Sequence, residues 1–180
     1  MKRLFDLILV FSLFMVMFIP FILIIILVIS SSKGPAFYCS VRIGKNNKKF
    51  IMPKFRSMFI GTPNVASHLL KNSNSHLTLI GSFLRSSSLD ELPQIFSVLK
   101  GDMSFVGPRP ALYNQDDLIA LRTEKGVHAM LPGITGWAQV NGRDELSIPE
   151  KVKLDLEYLN CQSFWFDVKI LWMTFLKVIK

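Results

Sequence analysis

Cysteine and histidine are scarce in this chain. Two cysteines, Cys39 and Cys161, stand far apart, and three histidines, His68, His76 and His128, show no ligand-like spacing. This excludes a disulfide framework and a zinc-type cluster, leaves neither cysteine in a catalytic setting, and suits a reducing compartment. Acidic residues are also few, 13 against 21 basic ones, for a net charge of +8. Internal repeats and low-complexity tracts are lacking, which excludes a solenoid and a linker-like chain. No nucleic-acid-binding signature accompanies the positive charge.

What the chain has in quantity is apolar. Half of its 180 residues are hydrophobic, enough for one domain with a real core plus a membrane element. A basic, apolar chain suits a membrane surface and anionic partners: lipids, phosphates or nucleotides. From Leu7 to Ile29 the one clearly polar side chain is Ser12. This run exceeds the ~20 residues that span a bilayer and is longer than a signal-peptide core, with no A-x-A-like site after it. Pro20 near its centre removes a backbone hydrogen bond and favours a kink. Lys2 and Arg3 precede the run; Lys33, Arg42, Lys45, Lys48 and Lys49 follow it. Positive flanks stay cytoplasmic. A spanning helix and a helix that bends at Pro20 and leaves by the same face both fit these residues, and both put the basic C-terminal part in the cytoplasm.

After the turn-rich exit Ser30 to Pro35, Phe37 to Met58 reads as short strands or extended segments. Gly61 to Ser75 reads as a surface loop. Leu77 to Arg85, Asp90 to Leu99, Asp116 to Lys125, Ile148 to Leu159 and Phe164 to Lys180 read as helices, with Gly101 and Gly126 as stops. Leu131 to Arg143 reads as a glycine-punctuated loop. The last helix is Trp- and Phe-rich but too polar to span, so it either lies in the bilayer interface or packs on the core. The fold class expected is α+β, mainly helical.

The chemistry concentrates at Ser88 to Gln94, Ser-Leu-Asp-Glu-Leu-Pro-Gln. Asp90 and Glu91 sit where Pro93 marks the first turn of a helix, and the helix dipole there favours an ionised carboxylate. Alone, Ser88 and Glu91 read as a capping box. In company the pattern reads differently. Lys54 and Arg56 in Pro-Lys-Phe-Arg, Arg85, Arg109 in Gly-Pro-Arg-Pro and Arg143 in Asn-Gly-Arg lie in or near segments marked by glycine or proline. Each alone is an ordinary surface residue. Gathered around a carboxylate pair they suggest a diphosphate site, since arginine's planar fork matches phosphate oxygens. Such a site recruits Mg²⁺ through one or two carboxylates. Asp102 follows Lys100-Gly101 and reads as a turn residue.

The ordered motifs Lys54 to Met58, Ser88 to Gln94, Leu99 to Ser104, Val106 to Pro110 and Pro132 to Arg143 resemble the bacterial sugar transferases, the monotopic polyprenyl-phosphate phosphoglycosyl transferases in minimal form. The resemblance runs from about Lys2 to the C-terminus. It implies a re-entrant membrane helix over residues 1–32 and a membrane-associated catalytic domain over 33–180 on the cytoplasmic face of the bacterial inner membrane. It implies Mg²⁺-dependent transfer of a sugar 1-phosphate from a UDP-sugar to undecaprenyl phosphate, releasing UMP and starting a lipid-linked glycan. Asp90 matches the nucleophile and metal ligand, and Glu91 its acidic partner. Arg85, Arg109 and Arg143 match phosphate- or nucleotide-contacting positions, and Lys54 a motif lysine. The chain departs at Ile19, where the family pairs Ser with the proline; at Leu131, commonly Arg; and at Ser40, usually Gln. The rival from another class is a membrane-anchored basic adaptor without catalysis. It accounts for the charge and the apolar run but not for the acidic pair beside ordered arginine loops.

Overall fold

The computed structural model describes residues 2–62, 73–142 and 145–179. Helix α1 (Lys2–Ser31) runs without interruption through Pro20 and is long and apolar enough to cross a membrane. Its two ends bury side chains against the rest of the chain: Asp6 and Val10 at one, Ile24 and Val28 at the other. Between them, residues 11–23 bury none.

Strands β1 (Phe37–Ile43) and β2 (Lys49–Phe55) form an antiparallel hairpin with Phe37 opposite Phe55, and β4 (Ala111–Leu112) adds to the outer edge of β1. Helix α2 (Gly81–Ser86) packs against the segment after β2. A Cβ at Gly81 would come within 1.9 Å of the Ser57 carbonyl oxygen, so only glycine permits that approach. A 3₁₀ turn over Leu89–Gln94 leads directly into α3 (Ile95–Lys100), which Gly101 ends in the left-handed conformation, φ 91°. The helix read over Asp90 to Leu99 is thus present, tighter in its first turn.

The stretch read as a loop from Leu131 to Arg143 differs. It contains β5 (Gly133–Thr135), parallel to β3 (Ser104–Val106), and the short α5 (Trp137–Val140). Its glycines serve close packing. A Cβ at Gly133 would meet the Gly107 nitrogen at 2.2 Å, and one at Gly136 the Gly107 oxygen at 2.1 Å. The two glycine-rich motifs interlock, and this fixes the loop that carries Arg109.

Helices α4 (Asp116–Glu124), α6 (Ile148–Cys161) and α7 (Phe164–Ile179) complete the fold, which is mainly helical with small sheets as expected. Helix α6 starts with a full capping box between Ser147 and Glu150. The main core joins Val10 of α1 to Met52, Val98, Met103, Tyr158 and Ile170. Helix α7 packs Asp167 and Ile170 inward, yet leaves Trp165 77% and Trp172 61% exposed. One of its faces therefore packs on the core, and an aromatic face remains outside.

Candidate active site

The Ser88 to Gln94 segment does not form the cap its pattern suggests. Ser88 takes a left-handed conformation, φ 57°, and its side chain caps nothing. Glu91 turns to cations instead of closing a capping box: its Oε1 lies 2.6 Å from Lys54 Nζ and 3.1 Å from an Arg109 Nη2. These partners come from β2 and from the loop after β3, so sequence distance hid the convergence.

Asp90 is 7% exposed and Glu91 8%. Among the described residues the Asp90 carboxylate makes no hydrogen bond and no ion pair. It lines a cleft of about 550 Å³ together with Lys54, Arg85, Glu91 and Arg109. Burial pushes the Asp90 carboxyl above the ordinary range; Lys54 opposes that most, and Glu91 adds to it. Burial also lowers the Lys54 ammonium, against the pull of Glu91. The site thus holds one carboxylate neutralised by two cations and a second left open to the cleft. Asp90 offers a hard oxygen donor, and the described residues hold no cluster of three or more His, Cys, Asp or Glu. That donor set fits Mg²⁺, which fills its shell with phosphate oxygens and water.

Five of the six sequence-derived site residues, Lys54, Arg85, Asp90, Glu91 and Arg109, meet here. Arg143 lies outside the described residues, as do residues 63–72 of the expected Gly61 to Ser75 loop. Arg56 behaves differently from its neighbour Lys54. Buried, it donates to the carbonyls of Ser32 and Lys33, both at 2.8 Å, and caps the carboxyl end of α1. Gly34 makes room for it, with φ +122° and no space for a Cβ beside the Arg56 guanidinium.

Sequence reasoning missed the supports. Arg122 donates to the Arg109 carbonyl at 2.7 Å and to Asp155 Oδ2 at 2.6 and 3.0 Å, tying the Arg109 loop to α6. Asp155 is buried, and burial pushes its carboxyl up against the pull of Arg122. Asp6 accepts from Ser104 Oγ and from the Phe105 N–H at 3.1 Å. An acid one residue ahead of an apolar run was the available signal.

These motifs, in this arrangement, define the class: the profile of the bacterial sugar transferases matches residues 1–180, and the chain belongs to that family, a family of transferases. Among its relatives is the uncharacterized sugar transferase EpsL of Bacillus subtilis, 41% identical over 99% of this chain and 87% of that protein. Two others are named UDP-glucose:undecaprenyl-phosphate glucose-1-phosphate transferase. The one from Xanthomonas campestris is 42% identical over 83% of this chain, and the one from Escherichia coli 41% over 82%. The chain spans about a third of the length of each of these two, 32% and 33%.

Proposed function

We propose that this chain transfers a sugar 1-phosphate from a UDP-sugar to a polyprenyl phosphate through a covalent intermediate on Asp90. The observation that carries the reading is the buried Asp90 carboxylate, without a hydrogen bond or ion pair among the described residues, facing a cleft lined by Lys54, Arg85 and Arg109. A buried carboxylate left unpaired is costly, and such groups persist where chemistry needs them. The names of the relatives in Xanthomonas campestris and Escherichia coli support the same donor and acceptor classes.

In the first step an Asp90 oxygen attacks the sugar-bearing phosphorus, the bond from that phosphorus to the bridging oxygen breaks, and UMP leaves with both electrons of that bond. In the second, an oxygen of the lipid phosphate attacks the same phosphorus, the Asp90–phosphorus bond breaks, and the carboxylate returns. Lys54 and Arg109, locked onto Glu91, and Arg85 are placed to stabilise charge gathering on the phosphoryl oxygens. Glu91 holds the two cations in register. Asp90 is the residue that would hold Mg²⁺, and the ion would supply further neutralisation of that charge.

The acceptor is a lipid, and the architecture supports delivery from a membrane. Both ends of α1 are tied to one body: Lys2 to Asp167 at 2.6 Å and Asp6 to β3 at one end, Arg56 to Ser32 and Lys33 at the other. With the cleft on the cytoplasmic face, such a helix re-enters the bilayer and returns, bending at Pro20, and the exposed Trp165 and Trp172 face of α7 rests in the interface. The test is release of UMP from UDP-sugars in the presence of Mg²⁺ and undecaprenyl phosphate. Release of UDP would indicate sugar transfer without phosphate, and release of neither across a donor panel would favour the adaptor.

A further inference from the structure

Arg42 lines the cleft and has no role in the reaction as drawn. Arg42 lies on β1, where side chains alternate, so it shares a face with Ser40 and Tyr38. Tyr38 pairs with Lys54 across the hairpin, which puts Lys54 on that face too. The Cα atoms of Arg42 and Lys54 are thus about 13 Å apart along the strands, within joint reach of two long side chains and a phosphate between them. Both residues line the cleft.

Arg42 differs from the half-buried cations around it, and from buried Arg56, whose carbonyl partners close the end of α1. Lys54 and Arg109 have Glu91, and Arg122 has Asp155. Among the described residues Arg42 forms no ion pair; its Nε donates to Ser40 Oγ at 3.2 Å and an Nη1 to the Pro110 carbonyl at 3.4 Å. Both acceptors are neutral, and Ser40 is buried. They hold the fork in place without cancelling its charge. Burial, and then the charge of Arg109, lower its pKa to about 10, against the pull of Tyr38 and Glu91. A guanidinium aimed and left uncompensated in a cleft requires an anion to complete it.

We propose that Arg42 is a further phosphate-binding residue of the cleft, and that Ser40 is the positioning residue that aims it. The anion is a phosphate group, from either the donor's diphosphate or the acceptor's phosphate monoester. This assignment rests on the phosphoglycosyl-transfer reading.

The test uses the full chain in detergent, comparing wild type with Arg42→Gln, Arg42→Lys, Ser40→Ala and Ser40→Thr. One arm follows UMP release against UDP-sugar concentration, a second follows it against undecaprenyl phosphate, and a third titrates UDP directly. Losing a charge-assisted phosphate contact should raise one half-saturation point about ten- to hundredfold in Arg42→Gln. A rise in the donor and UDP arms assigns the diphosphate; a rise in the acceptor arm alone assigns the lipid phosphate. Arg42→Lys keeps the charge without the fork and should shift the same arm by a smaller factor, so it serves if Arg42→Gln does not fold. Ser40→Ala should shift that arm in the same direction and leave the other unchanged, and Ser40→Thr should restore it. Arg42→Gln within twofold of wild type in every arm overturns the assignment alone, because UMP release by the wild type keeps the underlying reading. A wild type that neither releases UMP nor binds UDP overturns both. If it binds UDP without releasing UMP, the UDP affinity of Arg42→Gln decides.

Discussion

Lys54 Nζ lies 2.6 Å from Glu91 Oε1, and this contact puts two neighbouring carboxylates in different states. Glu91 is neutralised by Lys54 and Arg109; Asp90, next to it in the chain, keeps its oxygens for the cleft. Lys54 is also the strongest influence holding the Asp90 carboxyl down against burial.

The pH dependence follows from that balance. A nucleophilic Asp90 must be ionised, so activity should fall as the pH drops through its raised value. Lys54→Met removes the main cation opposing burial and moves the Asp90 carboxyl further up. The acidic limb of the rate profile for UMP release should therefore shift to higher pH. An unmoved limb would detach Lys54 from Asp90.

The same shift has a consequence for stability. With a folded-state value above the unfolded one, the native state binds the extra proton. Stability is fully present below the unfolded value and declines as pH rises through the folded one. Asp90→Asn removes that decline. At neutral pH the inactive variant should melt higher than wild type, by about 2–4 °C for each kcal/mol gained; a lower melting temperature would contradict the account.

Arg122 secures the Arg109 loop through Asp155. Arg122→Gln leaves a buried carboxylate without its cation and should cost about 3–5 kcal/mol. Asp155→Asn in the same chain should recover part of it. A melting series on the two single variants and the double variant measures the coupling, and additive losses would show that the pair is not a unit.

The amino end of α1 is fastened by Asp6. Asp6→Ala strands the Phe105 N–H and Ser104 hydroxyl in a buried place, a loss of about 1–3 kcal/mol. Asp6→Asn keeps an acceptor and should lose less. In vesicles, a cysteine at position 2 on a background lacking Cys39 and Cys161 should react only from the side that carries the catalytic domain. Labelling from the opposite side alone would make α1 a spanning helix.

Local chemistry was legible in the sequence where it is written contiguously. Asp90, Glu91 and Pro93 announce a carboxylate pair opening a helix, and Gly101 and Gly126 mark where helices stop. Long-range pairing was not legible. Nothing near Lys54 or Arg109 says that both will find Glu91, and the Ser88 capping pattern cannot reveal a backbone with φ 57°. The glycines from Gly133 to Gly136 read as loop signals because their purpose, close approach to Gly107, depends on a segment elsewhere in the chain. Asp6 drew no reading from the sequence because its partners on β3 are remote in the chain.

The central claim is a covalent phosphosugar on Asp90. The most direct test is the intact mass of the purified protein after incubation with Mg²⁺ and a panel of UDP-sugars, with no lipid acceptor present. The account predicts a gain equal to one sugar phosphate with a matching donor, lost in Asp90→Asn and discharged by undecaprenyl phosphate. Turnover to UMP with an unchanged protein mass at every donor, or an adduct that survives Asp90→Asn, would contradict it.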